Sequence, residues 1–183
     1  LTYLGHVISK KGGNMPNFIH KRNKAIGTEK LILRLIKNLG PYKYKGALIY
    51  IQSLIRTSIL YSAETMYNLT ETEMRALEQI EESVLQKVFG TKRSCPRHIL
   101  YLECGIYPAR NQIHRQMLNF LHYILQQPST SLLHRIFEAQ KSHPTKGDWV
   151  SCVMELINIY DLKLSTEEIK NTKRTLFNNL VRR

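Results

Sequence analysis

Apolar residues recur at helical spacing along most of this chain. Phe18, Ile19, Ala25, Ile26, Ile32, Leu33, Ile36 and Leu39 trace the first such face, and Gly40-Pro41 ends it by the usual glycine-then-proline logic. A second helix is predicted from about Lys43 to Ser62, with Leu48, Ile51, Ile55 and Ile59 on one side. A third begins after Thr70, where Thr70 and Glu73 form a capping-box pair, and carries Leu77, Ile80, Val84 and Val88 to Gly90. Shorter helices are expected at about Arg97–Cys104, Ser131–Gln140, Trp149–Tyr160 and Thr166–Leu180. A longer one runs over about Ala109–Gln127, with Ile113, Met117, Phe120, Leu121 and Ile124 inside. Only the start differs. Tyr3, Val7 and Ser9 alternate with Leu4, His6 and Ile8, which predicts a strand, and Gly12-Gly13 suits the turn of a hairpin.

The pattern therefore predicts a mainly α fold, a helical array with a short N-terminal β-hairpin. Four regions are expected: a hairpin over 1–16, a helical region over 17–90, connecting helices over 91–127 and a helical C-terminal region over 128–183. The boundary signals are the Pro-Ser-Thr stretch near 127–130 and, more weakly, 143–148.

Charge changes this picture from a generic helical protein to a polarised one. The 183 residues carry 27 Lys+Arg against 14 Asp+Glu, a net charge of +13. Residues 1–60 hold 11 basic side chains and one acidic, Glu29, whereas residues 61–90 hold two basic and six acidic. A surplus concentrated at one end points to a polyanion-facing surface, and nucleic acid is the commonest partner for one. The acidic block falls on one predicted helix and is expected to face solvent or another basic segment. Three cysteines form no dense framework, which suits a reducing, intracellular compartment, nuclear or cytoplasmic. No apolar run approaches the ~20 residues of a membrane span, so no membrane partner is expected.

Candidate chemistry is sparse. The stretch Lys10–Asn14 lacks the Lys-Ser/Thr of a phosphate loop, and no nucleophile elbow or His-Glu-x-x-His motif occurs. Two-metal phosphoryl transfer needs clustered carboxylates, and the only aspartates are Asp148 and Asp161. Cys95, His98, Cys104 and His114 have one close ligand pair where tetrahedral zinc sites bring two, so they read as ordinary half-buried residues. The histidines lack a sequence-fixed nucleophile and read as structural. What remains is basic. Lys30, Arg34 and Lys37 fall at i, i+4 and i+7 as a stripe suited to phosphate, or to plain solvation. Tyr42, Lys43, Tyr44 and Lys45 interleave rings and cations, as single-strand binders do and as an ordinary helix start also does.

Four stretches, in order, carry a resemblance. "TYLGHVIS" is similar to the primer-grip hairpin of reverse transcriptases. Arg22, Lys24, Ala25 and Ile26 then lead to "KYKGALIYIQSLIRTSILYSAE", which resembles a thumb pattern of Lys, Tyr, Ile-Arg-Pro and Leu-Leu-Tyr-Gly-x-Glu in polymerases of non-long-terminal-repeat (LINE-type) retrotransposons. Arg56, Leu60, Tyr61 and Glu64 match, while Thr57 and Ser62 stand where proline and glycine are commoner. "ALEQIEESVLQKVFG" resembles the next helix of that family, and Cys95–Pro108 its Pro-Arg, Leu-Tyr, Glu-x-Gly-Ile and Pro segment. The resemblance covers about residues 1–127, and the tail beyond 130 matches only loosely.

The resemblance implies a primer grip, a thumb and the helices after it, with fingers and the catalytic palm lying upstream of this chain. Tyr3, Leu4 and Gly5 would help position the primer 3′ end. Lys10, Lys11, Lys21, Arg22, Lys24, Lys30, Arg34, Lys37, Lys43 and Lys45 would track the backbone of RNA, DNA or an RNA–DNA hybrid. No catalytic residue, metal site or cofactor is expected in this chain, because magnesium would sit in the palm. By this reading the fragment is not catalytic alone. The alternatives are a free-standing basic helical module that binds nucleic acid or protein, and a small enzyme of unknown chemistry.

Overall fold

The computed structural model describes residues 2–3, 6–7, 15–92, 94–162 and 165–172, and the described chain is mainly helical. Two short strands, β1 (Thr2–Tyr3) and β2 (His6–Val7), pair antiparallel, with Thr2 opposite Val7 and Tyr3 opposite His6. This corrects the expected continuous strand, since Tyr3 and His6 pair across the two strands and do not follow one another along one, and Gly12-Gly13 lie outside the described residues. The Val7 amide donates to Asn17 Oδ1 (3.3 Å), which ties the second strand to the first helix.

The helices are α1 (Met15–Ile36), α2 (Lys43–Tyr50), α3 (Arg56–Leu60), α4 (Glu71–Phe89), α5 (Arg97–Glu103), α6 (Ala109–Gln126), α7 (Leu132–Ser142), α8 (Trp149–Ile159) and α9 (Thr166–Asn171). Their ends lie within a few residues of those predicted, except that the stretch after Thr172 of the last predicted helix is outside the described residues. The capping box of α4 is formed in both directions, with Glu73 N donating to Thr70 Oγ1 (3.2 Å) and Thr70 N donating to Glu73 Oε2 (2.6 Å). Gly90 closes the same helix at φ 65°, a left-handed conformation that costs glycine nothing.

The predicted second helix is a helix with a widened turn. A π-helical turn, Ile51–Ile55, joins α2 to α3, and the Arg56 amide donates to the Ile51 carbonyl. The apolar spacing explains it. Ala47, Ile51, Ile55 and Ile59 are all fully buried, and they recur every four residues. In a regular α-helix a four-residue repeat drifts by about 40° per step, so the fourth residue would leave the core face. One wider turn takes up the drift and keeps all four inside.

Two compact units divide the chain: Leu1–Ser62 with Leu69–Gln112, and Ala63–Asn68 with Ile113–Arg183. The division falls inside α6, and the expected boundary near 127–130 lies within the second unit. In the first unit α1 packs on α2, α3 and α4, and the core is Ala25, Ile32, Ala47, Ile51, Ile55, Ile59, Leu77, Val84 and Leu85, all with no exposure. Each large aliphatic group there contributes about 1.5–3 kcal/mol by leaving water. In the second unit Ile113, Leu118, Leu121, Phe137, Val153 and Ile169 are buried with Met66. Trp149 Nε1 donates to the Glu64 carbonyl (2.7 Å), which holds the segment 63–68 to α8, and Phe120 on α6 meets the Trp149 ring edge-on at 5.5 Å.

Candidate nucleic-acid interface

Eight of the expected contact residues have described side chains, and seven of them are exposed: Arg22, Lys24, Lys30, Arg34, Lys37, Lys43 and Lys45. At about 100° per residue, Lys30, Arg34 and Lys37 lie within roughly 60° of one another on α1, so the stripe is real in projection. Arg22 and Lys24 fall on opposite flanks of that stripe and do not extend it. Arg34 and Lys37 also sit at the C-terminal end of α1, where cations offset the helix dipole. Lys43 and Lys45 open α2, and Lys43 Nζ lies 5.0 Å from the centre of the Tyr44 ring. Tyr42 is 72% exposed, whereas Tyr44 packs its ring on Phe89 at 5.1 Å, so of the two tyrosines only Tyr42 stands wholly outward. Tyr3 is placed as a strand residue, and Leu4, Gly5, Lys10 and Lys11 lie outside the described residues.

Lys21 is a correction. It is 2% exposed, and its ammonium donates to the carbonyls of Ile59 (3.4 Å) and Tyr61. Those carbonyls close the end of α3, where helix acceptors lack internal partners. Lys21 therefore caps a helix from below instead of meeting phosphate. Its place on the apolar side of α1, beside Phe18 and Ala25, is visible in the periodicity, although a lysine there reads as surface until the α3 terminus is known to face it.

The acidic block turns inward, onto arginines. Glu78, Glu81 and Glu82 on α4 are buried. Arg56 Nε donates to Glu81 Oε1 at 2.9 Å, Arg75 pairs with Glu82 and Glu78, and Arg110 bridges Glu78 (3.2 Å) and Glu71 (2.6 Å). Tyr101 Oη lies 3.4 Å from both Glu81 Oε2 and the Glu78 carbonyl. Burial pushes the Glu81 carboxyl up, against the pull of Arg56, and the Tyr101 hydroxyl is pushed up by burial and by the Glu81 charge. The guanidinium of Arg110 holds Glu71 below the usual carboxylate range. Of the two expectations for this block, solvent or a basic segment, the structure shows the second for Glu78, Glu81 and Glu82.

The consequence is a separation of charge within the first unit. Its buried acids are matched internally, and among the described residues none of the seven exposed cations makes an ion pair. A groove of about 520 Å³ opens at the C-terminal ends of α1 and α4 and the start of α2, with Lys37, Lys43 and Lys87 on it. Lys87 is the residue that sequence reasoning missed, because it sits in a segment read as acidic. Its signal was its place in the last turn of a helix ending at Gly90.

The remaining candidates are accounted for structurally. His114 Nδ1 meets Tyr160 Oη at 2.9 Å and His122 Nε2 meets the Thr172 carbonyl at 2.8 Å. All three cysteines are free thiols, and burial pushes Cys104 and Cys152 up, away from reactivity. Among the described residues no three His, Cys, Asp or Glu side chains are grouped to hold a metal, and no described helix is long and apolar enough to cross a membrane. Comparison with known proteins finds no matching family model, no matching curated protein and no matching solved structure.

Proposed function

We propose that this chain is the thumb and connecting region of a retroelement RNA-directed DNA polymerase, gripping a template–primer duplex through its phosphates inside the cell and carrying no catalytic group itself. One observation carries the reading: seven cations with no ion pair among the described residues stand on the surface of α1, just after it and early in α2, while the buried acids of the same unit are neutralised internally by arginine. Such a surface attracts backbone phosphate and reads no bases.

Two departures from the resembling family are consistent with it. Ser62 stands where that family favours glycine, and its φ of 55° is one that glycine favours. Thr57 stands where the family favours proline, and it lies two residues past the π-helical turn, in the first turn of α3. The matched residues themselves have structural work: Arg56 neutralises Glu81, and the carbonyls of Tyr61 and Glu64 accept from Lys21 and Trp149.

The test is fluorescence anisotropy of the full chain with two 20-base-pair RNA–DNA hybrids of unrelated sequence. Equal affinities for both, falling steeply with salt, are expected. A folded chain that binds neither at low salt contradicts the reading. A second reading, a protein-interaction module, is favoured by Leu132, Leu133 and Ile136 exposed together on α7. Capture of a protein that persists at high salt, with no hybrid binding, would put that reading first.

A further inference from the structure

The groove at the end of α1 differs in chemistry from the stripe that leads to it. Three elements each bring one lysine to it: Lys37 just after α1, Lys43 at the first position of α2, and Lys87 in the last turn of α4. Between them the lining is aliphatic, from Leu33, Ile36 and Val88. One carboxylate answers them. Glu29 Oε1 lies 3.4 Å from Lys87 Nζ and accepts from Ser83 Oγ (2.6 Å), so the groove keeps a net positive charge. A row of phosphates on a duplex needs cations on an open face and has no use for a concave aliphatic floor. A nucleotide needs both, because its base is largely apolar on its faces and its phosphate is anionic. The volume of about 520 Å³ lies within the range of small-ligand sites. Lys37 belongs to the groove and also to the Lys30, Arg34 and Lys37 stripe, so a strand following the stripe arrives at the groove.

The geometry points to a nucleotide subsite here: the groove takes one unpaired nucleotide of a single strand continuing from the gripped duplex, with its phosphate among Lys37, Lys43 and Lys87 and its base against Leu33 and Val88. The inference rests on the duplex-gripping reading for the position of the strand, and on the groove alone for its chemistry.

Three probes separate the two: a blunt RNA–DNA hybrid, the same hybrid with a three-nucleotide single-stranded extension, and hexathymidylate alone. The wild-type chain is expected to favour the extended hybrid over the blunt one by about tenfold, the return on burying roughly 60 Å² of base face. Leu33→Trp, which fills the groove without changing charge, is expected to abolish that preference and to leave the blunt hybrid bound as before, and Lys87→Ala is expected to abolish the preference. Lys30→Ala with Arg34→Ala should weaken both hybrids equally and preserve their ratio. Equal wild-type affinity for blunt and extended hybrids overturns the subsite and leaves the duplex grip standing, as does a preference that survives both groove variants. Loss of all hybrid binding with hexathymidylate still bound, and released by Leu33→Trp, would overturn the duplex grip and keep the subsite. Failure of all three probes on a chain whose helical circular dichroism is intact overturns both.

Discussion

Arg56 and Glu81 show how much can hang on one pair of side chains. Both are buried, and the carboxylate has no exposure at all. A buried ion pair is a poor source of net stability, because desolvation cancels much of the attraction, yet breaking one strands the survivor. Arg56→Met is expected to lower stability by about 3–5 kcal/mol, and the double change Arg56→Met with Glu81→Leu to recover most of it, read by urea denaturation. Equal losses in the single and double variants would mean that the pair contributes through shape and not through charge. Asp148 gives a residue-scale test in pH. It caps α8 by accepting from Ser151 N (2.7 Å), and that backbone hydrogen bond holds its carboxyl below the ordinary 3.8. A lowered folded pKa means that the contribution is present above pH 3.8 and is lost as pH falls through the lower folded value. Asp148→Ala should therefore cost about 1 kcal/mol at pH 7, with the difference from wild type closing in the acid range below pH 3.8.

At the scale of elements, the chain's punctuation was legible and its long-range pairings were not. Thr70, Glu73 and Gly90 fix both ends of α4 by interactions within a few residues, so the sequence alone locates that helix. Gly40-Pro41 is less exact for α1, which ends at Ile36, while the pair opens a 3-10 turn, Gly40–Tyr42. Lys21 and Arg56 could not be placed this way, because their partners lie 38 and 25 residues away and exist only once α3 meets α1 and α4. The π-helical turn is an intermediate case: the four-residue apolar repeat contains it, but a search for amphipathic faces accepts such a repeat as a plain helix. Thr70→Ala, which removes the cap without touching the core, is expected to cost about 1 kcal/mol. Ser62→Gly, which relaxes a left-handed backbone, is expected to add about 0.5–1 kcal/mol in the same denaturation assay. A loss of stability in Ser62→Gly would show that the serine side chain contributes more than its backbone strain costs.

For the molecule as a whole, composition made the positive charge visible and structure shows how it is distributed. The first 60 residues hold 11 basic side chains, of which Lys21 and Arg56 serve the interior while Arg22, Lys24, Lys30, Arg34, Lys37, Lys43 and Lys45 remain outside. The acidic segment that follows does not offset them at the surface, since its buried carboxylates are matched by arginines of their own unit. The division into two units was not legible, because it falls within α6 rather than at a change of composition, and because Trp149 draws the segment 63–68 to the C-terminal unit. Duplex binding would therefore rest on surface cations that make no ion pair among the described residues. The most direct test is the salt dependence of RNA–DNA hybrid binding, measured for the wild-type chain and for the triple variant Lys30→Ala, Arg34→Ala, Lys37→Ala. If the stripe of Lys30, Arg34 and Lys37 meets phosphates together with Lys43 and Lys45, the wild-type plot of log affinity against log salt should have a slope of about −3.5 to −4.5, and the variant should be shallower by about 2–3. Identical slopes and affinities for the two proteins would contradict the account, and the stripe would be no more than a solvated helix face.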